Sequence, residues 1–229
     1  MLQVDHYHAA YGQSEVLHGL DFTIAPGEIV AIMGRNGMGK TMLMKSLMGI
    51  VPTSEGHAMV DGTDITSLKS FEHVAQGVAY VPQGRMIFQT MTVQENIDTG
   101  LTLSGTSKVP DGIYELFPVL LDMKNRRGGN LSGGHQQQIA IARALATNPK
   151  VLLLDEPTEG IQPSIIREMA RVLRRIRDER GLSIVVSEQV LSFALDVADR
   201  ILVLENGRLV HDELRAQIDE EKVAGFLSV

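Results

Sequence analysis

Eight residues from Gly34 to Thr41 read GRNGMGKT and combine three glycines with a lysine and a threonine. They follow the apolar run Ile29–Met33, which is typical of a buried strand, and precede a helix that can begin near Lys40. Glycines let backbone N–H groups approach phosphate oxygens, and a helix N-terminus adds a favourable dipole. We therefore predict a phosphate-binding loop, in which Lys40 contacts the β- and γ-phosphates and Thr41 binds Mg²⁺. A glycine-rich surface turn is the weaker interpretation, because strand and helix signals flank the loop.

Two acids follow a second apolar run, Val151–Leu154, and mark a candidate catalytic edge. The carboxyl ends of parallel strands form the edge at which open α/β sheets bind their ligands. We expect Asp155 to bind Mg²⁺ and Glu156 to orient and deprotonate the water that attacks the γ-phosphate. The alternative, in which the two acids only cap a strand, is weakened by the phosphate loop upstream.

A third segment, residues 131–135 with the sequence LSGGH, opens a helix predicted over Gln136–Leu145. Ser132 is a good N-cap, and the two glycines expose further backbone N–H donors at the helix N-terminus. A chain with one phosphate loop has no use for a second anion site. A second molecule that carries its own nucleotide would use it.

Short β-branched runs between turn residues indicate the strands of an α/β core. The predicted strands are Leu2–Val4, Asp21–Ile24, Ile29–Met33, His57–Val60, Val78–Val81, Val151–Leu154, Ser183–Val186, Ile201–Leu204 and Leu209–Val210. Asn206 and Gly207 should join the last two as a hairpin. The predicted helices include Val93–Ile97, Ile113–Phe117 and Gln136–Leu145. They indicate a helical insertion, so we predict one nucleotide-binding domain over 1–229, with a core of 1–83 and 147–229 and a helical subdomain over about 84–146.

Composition narrows the class of protein. The chain has 229 residues, 44% of them hydrophobic, which is enough for a sizeable core, and it contains no run of transmembrane length. A formal net charge of −7 argues against a nucleic-acid partner, and the basic stretch Arg167–Arg180 has the pattern of an amphipathic helix with a solvated charged face. The absence of cysteine and of a secretory signal at the start predicts a cytoplasmic location.

The phosphate loop, the LSGG segment, Gln83 and the pair Asp155 and Glu156 together resemble the nucleotide-binding subunit of ABC transporters, and the resemblance covers essentially the whole chain. It implies an α/β P-loop NTPase core of RecA-like type, with an antiparallel β subdomain and an inserted α-helical subdomain. It also implies that ATP and Mg²⁺ bind. Two subunits would face head to tail, so that the signature segment of each one contacts the ATP of its partner.

The same resemblance implies roles for individual residues. Tyr11 would stack on adenine with Val16 beside it, and Gln83 would sense Mg²⁺ and link the core to the helical subdomain. The implied nucleotide-binding residues are Tyr11, Val16, Gly34, Arg35, Asn36, Gly37, Met38, Gly39, Lys40, Thr41 and Met42. The implied metal ligands are Thr41, Gln83 and Asp155, and the implied catalytic residues are Lys40, Glu156 and Gln189. The signature residues are Leu131, Ser132, Gly133, Gly134 and His135.

Longer stretches narrow the resemblance within the family. Four of them are similar to ATPases of the branched-chain amino-acid and amide uptake group: Gly34–Lys40, Tyr80–Arg85, Glu115–Pro118 and Glu156–Pro163. Residues 12–17 and 159–166 are most similar to one of the two ATPases of urea importers. The expected function is ATP hydrolysis that powers uptake of urea or a related small amide across the inner membrane, and the alternative solute is a branched-chain amino acid. Weaker alternatives are an ABC ATPase that acts on ribosomes or DNA and a regulatory binder with little hydrolysis.

Three positions depart from the usual pattern of the family. Gln189 stands where most members carry a histidine, and because glutamine supplies no positive charge, slow hydrolysis at this site is a hypothesis. Gln162 stands where many relatives have an aspartate that communicates across the dimer. His135 stands where glutamine is usual, and we interpret it as a tolerated polar substitution rather than as a pH sensor.

The resemblance also implies partners. A second ABC ATPase subunit would complete the dimer, as a heterodimer in the cell or as a homodimer when the chain is made alone. Within a segment predicted as helical from Arg85 to about Asn125, several apolar residues would either receive a short helix of the membrane-spanning permease subunits or pack in the subdomain core. These residues are Met86, Ile87, Phe88 and Met91. A periplasmic solute-binding protein would act indirectly, and the chain would lie at the inner face of the plasma membrane.

Overall fold

The structure is a computed structural model that describes residues 1–103 and 108–228. Its strands are β1 (Leu2–Tyr11), β2 (Ser14–Ile24), β3 (Ile29–Met33), β4 (Thr53–Val60), β5 (Thr63–Asp64), β6 (Val78–Val81), β7 (Val151–Asp155), β8 (Ser183–Glu188), β9 (Arg200–Glu205) and β10 (Arg208–Leu214). Its helices are α1 (Lys40–Leu47), α2 (Ser70–Ala75), α3 (Val93–Asp98), α4 (Asp111–Leu116), α5 (Pro118–Asp122), α6 (Gly133–Leu145), α7 (Pro163–Arg180), α8 (Leu191–Val197) and α9 (Glu220–Leu227). Short 3-10 helices lie at Thr99–Leu103, Gly128–Asn130 and Arg215–Gln217.

The described strands form two sheets. One is antiparallel, with the order β2-β1-β4-β5, and the other has the order β10-β9-β3-β8-β7-β6. In the second sheet the neighbours from β9 to β6 run parallel, and β10 is antiparallel to β9. The turn between β9 and β10 has positive φ at both Asn206 and Gly207, which is the geometry that a tight hairpin needs. The predicted hairpin is therefore present.

Strand β3 lies inside the second sheet and is buried on both faces. Val30 and Ile32 pack in the hydrophobic core that contains α1 and the antiparallel sheet, whereas Ile29, Ala31 and Met33 pack in the core on the side of α6 and α7. A strand that is covered on both faces needs a continuous apolar sequence. This double burial explains why the strand that leads into the glycine-rich loop carries no polar residue.

The parallel register brings three strand ends to one edge of the sheet. β3 pairs with β8 so that Met33 lies opposite Glu188, and β7 pairs with β8 so that Asp155 lies opposite Ser187. The loops that follow β3, β8 and β7 therefore leave the sheet side by side, at the edge where open α/β sheets bind ligands.

The segment directly after β6 is not a helix, so the expectation of a helical segment from Arg85 is wrong for residues 85–92, whereas the helix predicted at Val93–Ile97 is present as α3. Gly84, Arg85 and Met86 have positive φ angles of 76°, 69° and 45°, and the next helix begins only at Val93. Consecutive left-handed residues cannot belong to a right-handed helix. The guanidinium of Arg143 donates to the carbonyl oxygens of Met86 at 3.0 Å and Arg85 at 3.2 Å, which stabilises the turn.

The other helices agree with the predicted pattern more closely. α4 overlaps the predicted Ile113–Phe117, and α6 begins at Gly133 rather than Gln136, with Ser132 as its N-cap. The buried side chain of Asn96 in α3 accepts from the Phe88 N–H at 2.8 Å and donates to the Phe88 carbonyl at 2.9 Å, which fixes the loop before this helix. In the part of the chain that the structure describes, no helix combines the length and the apolar character needed to cross a membrane.

Candidate active site

The glycine-rich loop leaves β3 and enters α1 through glycines at positions where a side chain would be strained or obstructed. Gly37 and Gly39 have φ angles of 81° and 106°, in the left-handed region that glycine populates most readily. At Gly34 a Cβ atom would lie 2.5 Å from the carbonyl oxygen of Leu204 in β9. The glycines therefore allow the loop to bend and also allow it to lie close to β9.

Lys40, the first residue of α1, is buried, with a side chain that is 3% exposed. Its Nζ donates to the carbonyl oxygens of Gly34 at 2.7 Å and Arg35 at 3.1 Å, and it lies 3.2 Å from Oε1 of Glu156. The ammonium group is thus enclosed by acceptors at the mouth of the glycine-rich loop. A phosphate that enters the loop would meet this cation directly.

Asp155 ends β7 with a buried carboxylate. Oδ1 accepts hydrogen bonds from the hydroxyls of Ser187 at 2.6 Å and Thr41 at 3.2 Å, and Oδ2 accepts one from the Tyr80 hydroxyl at 3.1 Å. Burial and the neighbouring Asp155 charge raise the pKa of Tyr80, so its hydroxyl stays protonated and donates. The carboxylate is therefore fixed in orientation by three side chains from three elements.

The oxygens beside the phosphate loop suit Mg²⁺. This ion prefers oxygen ligands and commonly binds through one or two carboxylates together with substrate phosphates. The Asp155 carboxylate and the Thr41 hydroxyl, 3.2 Å apart, offer such oxygens next to the loop. Gln83 contacts Glu156 rather than Asp155, with Nε2 3.4 Å from Oε2. When bound, the ion would neutralise charge on the β- and γ-phosphates.

Glu156 follows β7 in a strained backbone conformation, with φ of 45°. Its N–H donates to the carbonyl oxygen of Ser187 at 3.1 Å, which anchors it to β8. Its Oε1 accepts from Nε2 of Gln189 at 2.9 Å, and the same amide donates to Oδ1 of Asn36 at 2.8 Å. Gln189 therefore links the carboxylate to the phosphate loop.

Lys40, Thr41 and Glu156 line one cavity of about 320 Å³. Its lining residues are Tyr11, Val16, Asn36, Gly37, Gly39, Lys40, Thr41, Met42, Gln83 and Glu156. Tyr11 is 54% exposed at its outer end, where a flat ring can serve as a stacking platform. A second cavity of about 470 Å³ shares Asn36, Gln83 and Glu156 with the first and continues past Gln189.

Two of the predicted nucleotide-binding side chains point elsewhere. Arg35 lies 3.8 Å from the carboxylate of Glu205. Met38 contacts the β9–β10 hairpin, where its sulfur accepts from the Asn206 N–H at 3.3 Å and its carbonyl from the Gly207 N–H at 3.0 Å. Neither side chain lines the cavity of about 320 Å³. They support the loop from the outside.

The signature segment, residues 131–135, lies at the N-terminus of α6. The Ser132 hydroxyl oxygen accepts from the His135 N–H at 3.4 Å, as an N-cap does. At Gly134 a Cβ atom would lie 2.8 Å from Ile165, so this glycine permits close packing of α6 on α7. No residue of the segment lines either cavity beside Glu156. The structure therefore brings together the predicted residues of the phosphate loop, Asp155, Glu156, Gln83 and Gln189, and leaves the signature apart from them.

Four residues of the site were missed from the sequence: Tyr80, Thr158, Ser187 and Glu188. Tyr80 and Ser187 hold Asp155, and the Glu188 carboxylate accepts hydrogen bonds from Thr158. The sequence offers one indication for two of them, because Ser187 and Glu188 directly precede Gln189 at the end of a strand. Their partners could not be inferred without the pairing of β7 with β8.

Comparisons with known proteins bear on the family of this chain. A family model described as ABC transporter matches residues 17–159, which is more than half of the chain. The chain is 39% identical over 227 residues to the high-affinity branched-chain amino acid transport ATP-binding protein BraG of Pseudomonas aeruginosa, and the match covers 97% of each chain. It is 34% identical to the probable branched-chain amino acid transport ATP-binding protein LivF of Archaeoglobus fulgidus, over 91% of this chain and 90% of the relative.

A solved structure extends the similarity to three dimensions. The dimeric structure of MJ0796, a bacterial ABC transporter cassette, superimposes with a TM-score of 0.83 at 25% identity, and covers 94% of this chain and 99% of that one. The observed sheets and inserted helices therefore confirm the expected fold class, an α/β cassette with an antiparallel β subdomain. The chain belongs to the ABC transporter family and is one of its ATP-hydrolysing cassettes.

Proposed function

We propose that this chain hydrolyses ATP at the cavity beside Lys40 and Glu156, and that it does so as a subunit of an importer for branched-chain amino acids. The observation that carries the proposal is the position of the Glu156 carboxylate, 3.2 Å from the Lys40 ammonium and 2.9 Å from the Gln189 amide. A carboxylate at the mouth of a phosphate loop is placed to accept a proton from an attacking water.

The remaining groups divide the work of phosphoryl transfer. Lys40 and the loop N–H groups would bind the β- and γ-phosphates, and Thr41 and Asp155 would hold Mg²⁺. The Gln189 amide would contact the γ-phosphate as a neutral donor, and Tyr11 would stack on the adenine. Catalysis here consists mainly of positioning and electrostatic stabilisation, because the transferred phosphoryl group needs little covalent help.

A second cassette would supply the signature residues. Ser132 and Gly134 lie at a helix N-terminus, which favours an anion, but they line neither cavity of their own chain beside Glu156. The similar cassette MJ0796 is described as dimeric. In a head-to-tail dimer the signature of one subunit would complete the phosphate site of the other, and ATP would favour the closed state through its higher affinity for it.

A permease would contact the apolar surface after β6. Met86 is 69% exposed, Phe88 47% and Met91 38%, whereas Ile87 is half-buried and packs on the core of the helical part. Methionine adapts to the shape of a partner. This surface is connected to the active site through Gln83, so a docked membrane helix would move with the nucleotide state.

The solute is proposed from the relatives. Urea is the solute most favoured by the short sequence stretches, but the relatives BraG and LivF are named for branched-chain amino acid transport, and BraG matches along 97% of both chains. We therefore adopt the branched-chain alternative for this chain. The cassette itself does not contact the solute, so only a transport measurement can distinguish the two.

Uptake of labelled leucine in cells that carry the wild-type chain or Glu156→Gln tests the proposal. We expect the variant to lose leucine uptake and to lose ATPase activity by about a hundredfold or more, the usual contribution of a general base. Glu179→Gln, an exposed glutamate on α7, is the matched control and should behave as wild type. If the variant loses urea or acetamide uptake and keeps leucine uptake, the assignment of branched-chain amino acids as the solute is overturned. Full ATPase activity of Glu156→Gln would overturn the catalytic assignment.

A further inference from the structure

A buried carboxylate next to Gln189 has no role in the chemistry described above. Glu188 is the last residue of β8 and is 2% exposed. Its Oε1 accepts hydrogen bonds from the Thr158 N–H at 3.1 Å and the Thr158 hydroxyl at 2.5 Å. Its Oε2 accepts from the N–H groups of Gln189 at 2.9 Å and Val190 at 3.1 Å. One side chain thus accepts four hydrogen bonds from two loops.

This arrangement requires a carboxylate. Burial of a charge is costly unless hydrogen bonds replace its hydration, and here four neutral donors do so. A glutamine of the same shape has an oxygen on one side and an NH₂ group on the other. In either orientation its NH₂ group would face backbone N–H donors, those of Thr158 or those of Gln189 and Val190. If Glu188 served packing alone, an apolar side chain would fill this position without the free-energy cost of burying a carboxylate.

The two loops that Glu188 joins carry the reactive side chains. Thr158 follows Glu156 by two residues after β7, and Gln189 follows Glu188 directly after β8. Gln189 in turn donates to Glu156 and to Asn36 of the phosphate loop. The position of the Glu156 carboxylate therefore depends on how these loops are held against each other.

We propose, building on the ATPase site proposed above, that Glu188 is a positioning residue for ATP hydrolysis. Its carboxylate fixes the loop after β7 against the loop after β8 and so aligns Glu156 with Gln189 and the γ-phosphate. It acts through these hydrogen bonds and not by contact with the nucleotide. Its loss misaligns the general base, whereas the affinity for ATP, which rests on Lys40, Thr41 and the N–H groups of the phosphate loop, is retained.

Steady-state ATPase kinetics of the full chain with Glu188→Gln test the proposal. We expect kcat to fall by about tenfold or more, since hydrogen bonds to a charged group are lost, and KM for ATP to stay within about threefold. Asp199→Asn is the matched control. Asp199 also accepts a backbone N–H, that of Ile29 at 2.9 Å, but at the amino end of β3, and its variant should lower the melting temperature without lowering kcat.

Further variants distinguish positioning from simple loss of stability. Thr158→Val removes one donor and keeps the carboxylate, so it should lower kcat in the same direction by a smaller factor even if Glu188→Gln does not fold. In a Gln189→Ala background, Glu188→Gln should lower kcat less than it does in the wild type, because the group to be aligned is already absent. If Glu188→Gln and Thr158→Val both keep the wild-type kcat while Glu156→Gln abolishes turnover, the proposed role of Glu188 is overturned. The proposed ATPase site is not affected by that result. Full turnover of Glu156→Gln would instead overturn the ATPase site.

Discussion

At the scale of single residues, the carboxylates of the site are held in place by hydrogen bonds from several neighbouring groups. Asp155 accepts three side-chain hydrogen bonds, and Glu156 is kept at a positive φ by the bond of its N–H to Ser187. Such strain persists only where the surroundings determine the conformation. The edge of the sheet therefore supplies a preformed arrangement, in which little reorganisation is needed when phosphate arrives.

A buried histidine away from the site gives a residue-level prediction about pH. Both ring nitrogens of His73 lie near carbonyl oxygens, Nδ1 at 3.1 Å from Leu47 and Nε2 at 3.2 Å from Leu68. Burial lowers the pKa of His73 below its usual 6.5. The unfolded chain therefore takes up a proton at a higher pH than the folded chain, and the free energy of unfolding should fall as the pH drops through about 6.5.

Denaturant unfolding of wild type and His73→Asn between pH 8 and pH 5 measures this effect. Asparagine can donate to one of the two carbonyls and does not titrate in this range. The other histidines are common to both proteins, so the difference between the two curves isolates His73. Curves that run parallel across the whole range would contradict the prediction.

The candidate reactive residues could be named from the sequence because each is tied to a local pattern. Lys40 and Thr41 follow a glycine spacing, and Asp155 and Glu156 end an apolar run. Their supporting residues lie on other strands, and the contact of Ser187 with Asp155 depends on the parallel register of β7 and β8. Register is set by packing of the whole sheet, so the sequence of one strand does not reveal it.

At the scale of elements, the turn after β6 shows where pattern-based inference fails. The apolar residues after Gly84 suit a helix, yet three consecutive positive φ angles exclude one. The turn is held by Arg143 of α6, and the Arg85 guanidinium donates to the Glu159 carbonyl at 2.7 Å. These long-range contacts override local helix propensity, which is a weak determinant by itself. The strands of the second sheet from β3 to β9 were predicted to within two residues at each end, because their central residues are apolar, whereas β1, β2 and β4 are longer than predicted.

The contact of α6 with α7 leads to a prediction about stability. In Gly134→Ala the new Cβ would lie 2.8 Å from Ile165, so we expect the free energy of unfolding to fall by about 1–3 kcal/mol. Gly225→Ala in α9, where a Cβ would meet nothing within 4 Å, is the control and should be neutral or stabilising.

Thermal unfolding of both variants and of Gly134→Ala combined with Ile165→Ala checks this packing. The second substitution removes the atoms that the new methyl group would contact. We therefore expect Gly134→Ala to cost less in the Ile165→Ala background than in the wild type. Equal costs in the two backgrounds would show that the close approach of the helices is not the cause.

At the scale of the whole molecule, the main feature is that the signature segment lines neither cavity beside Glu156 in its own chain. If a second subunit completes each site, defects in different parts of the site should complement one another. Ser132→Arg blocks the signature and Lys40→Ala disables the phosphate loop, so each variant alone should lose ATPase activity. A mixture should regain activity, because a mixed dimer contains one site with an intact loop and an intact signature.

Size-exclusion chromatography of tagged subunits should establish that mixed dimers form in the presence of ATP. Recovery of ATPase activity in that fraction is the expected result. Mixed dimers that form and stay inactive would contradict a site shared between subunits. The same experiment with two Lys40→Ala chains gives the background.

The order of strands in the second sheet also bears on how the protein is made. The strand that leads into the phosphate loop, residues 29–33, lies between β8 and β9, which belong to the last quarter of the chain. Synthesis proceeds from the N-terminus, so this strand has no neighbour on either side until most of the polypeptide has left the ribosome. The Leu204 carbonyl that Gly34 packs against comes later still. We therefore expect ATP to stabilise the fold only after β8 and β9 have been made and have paired with this strand.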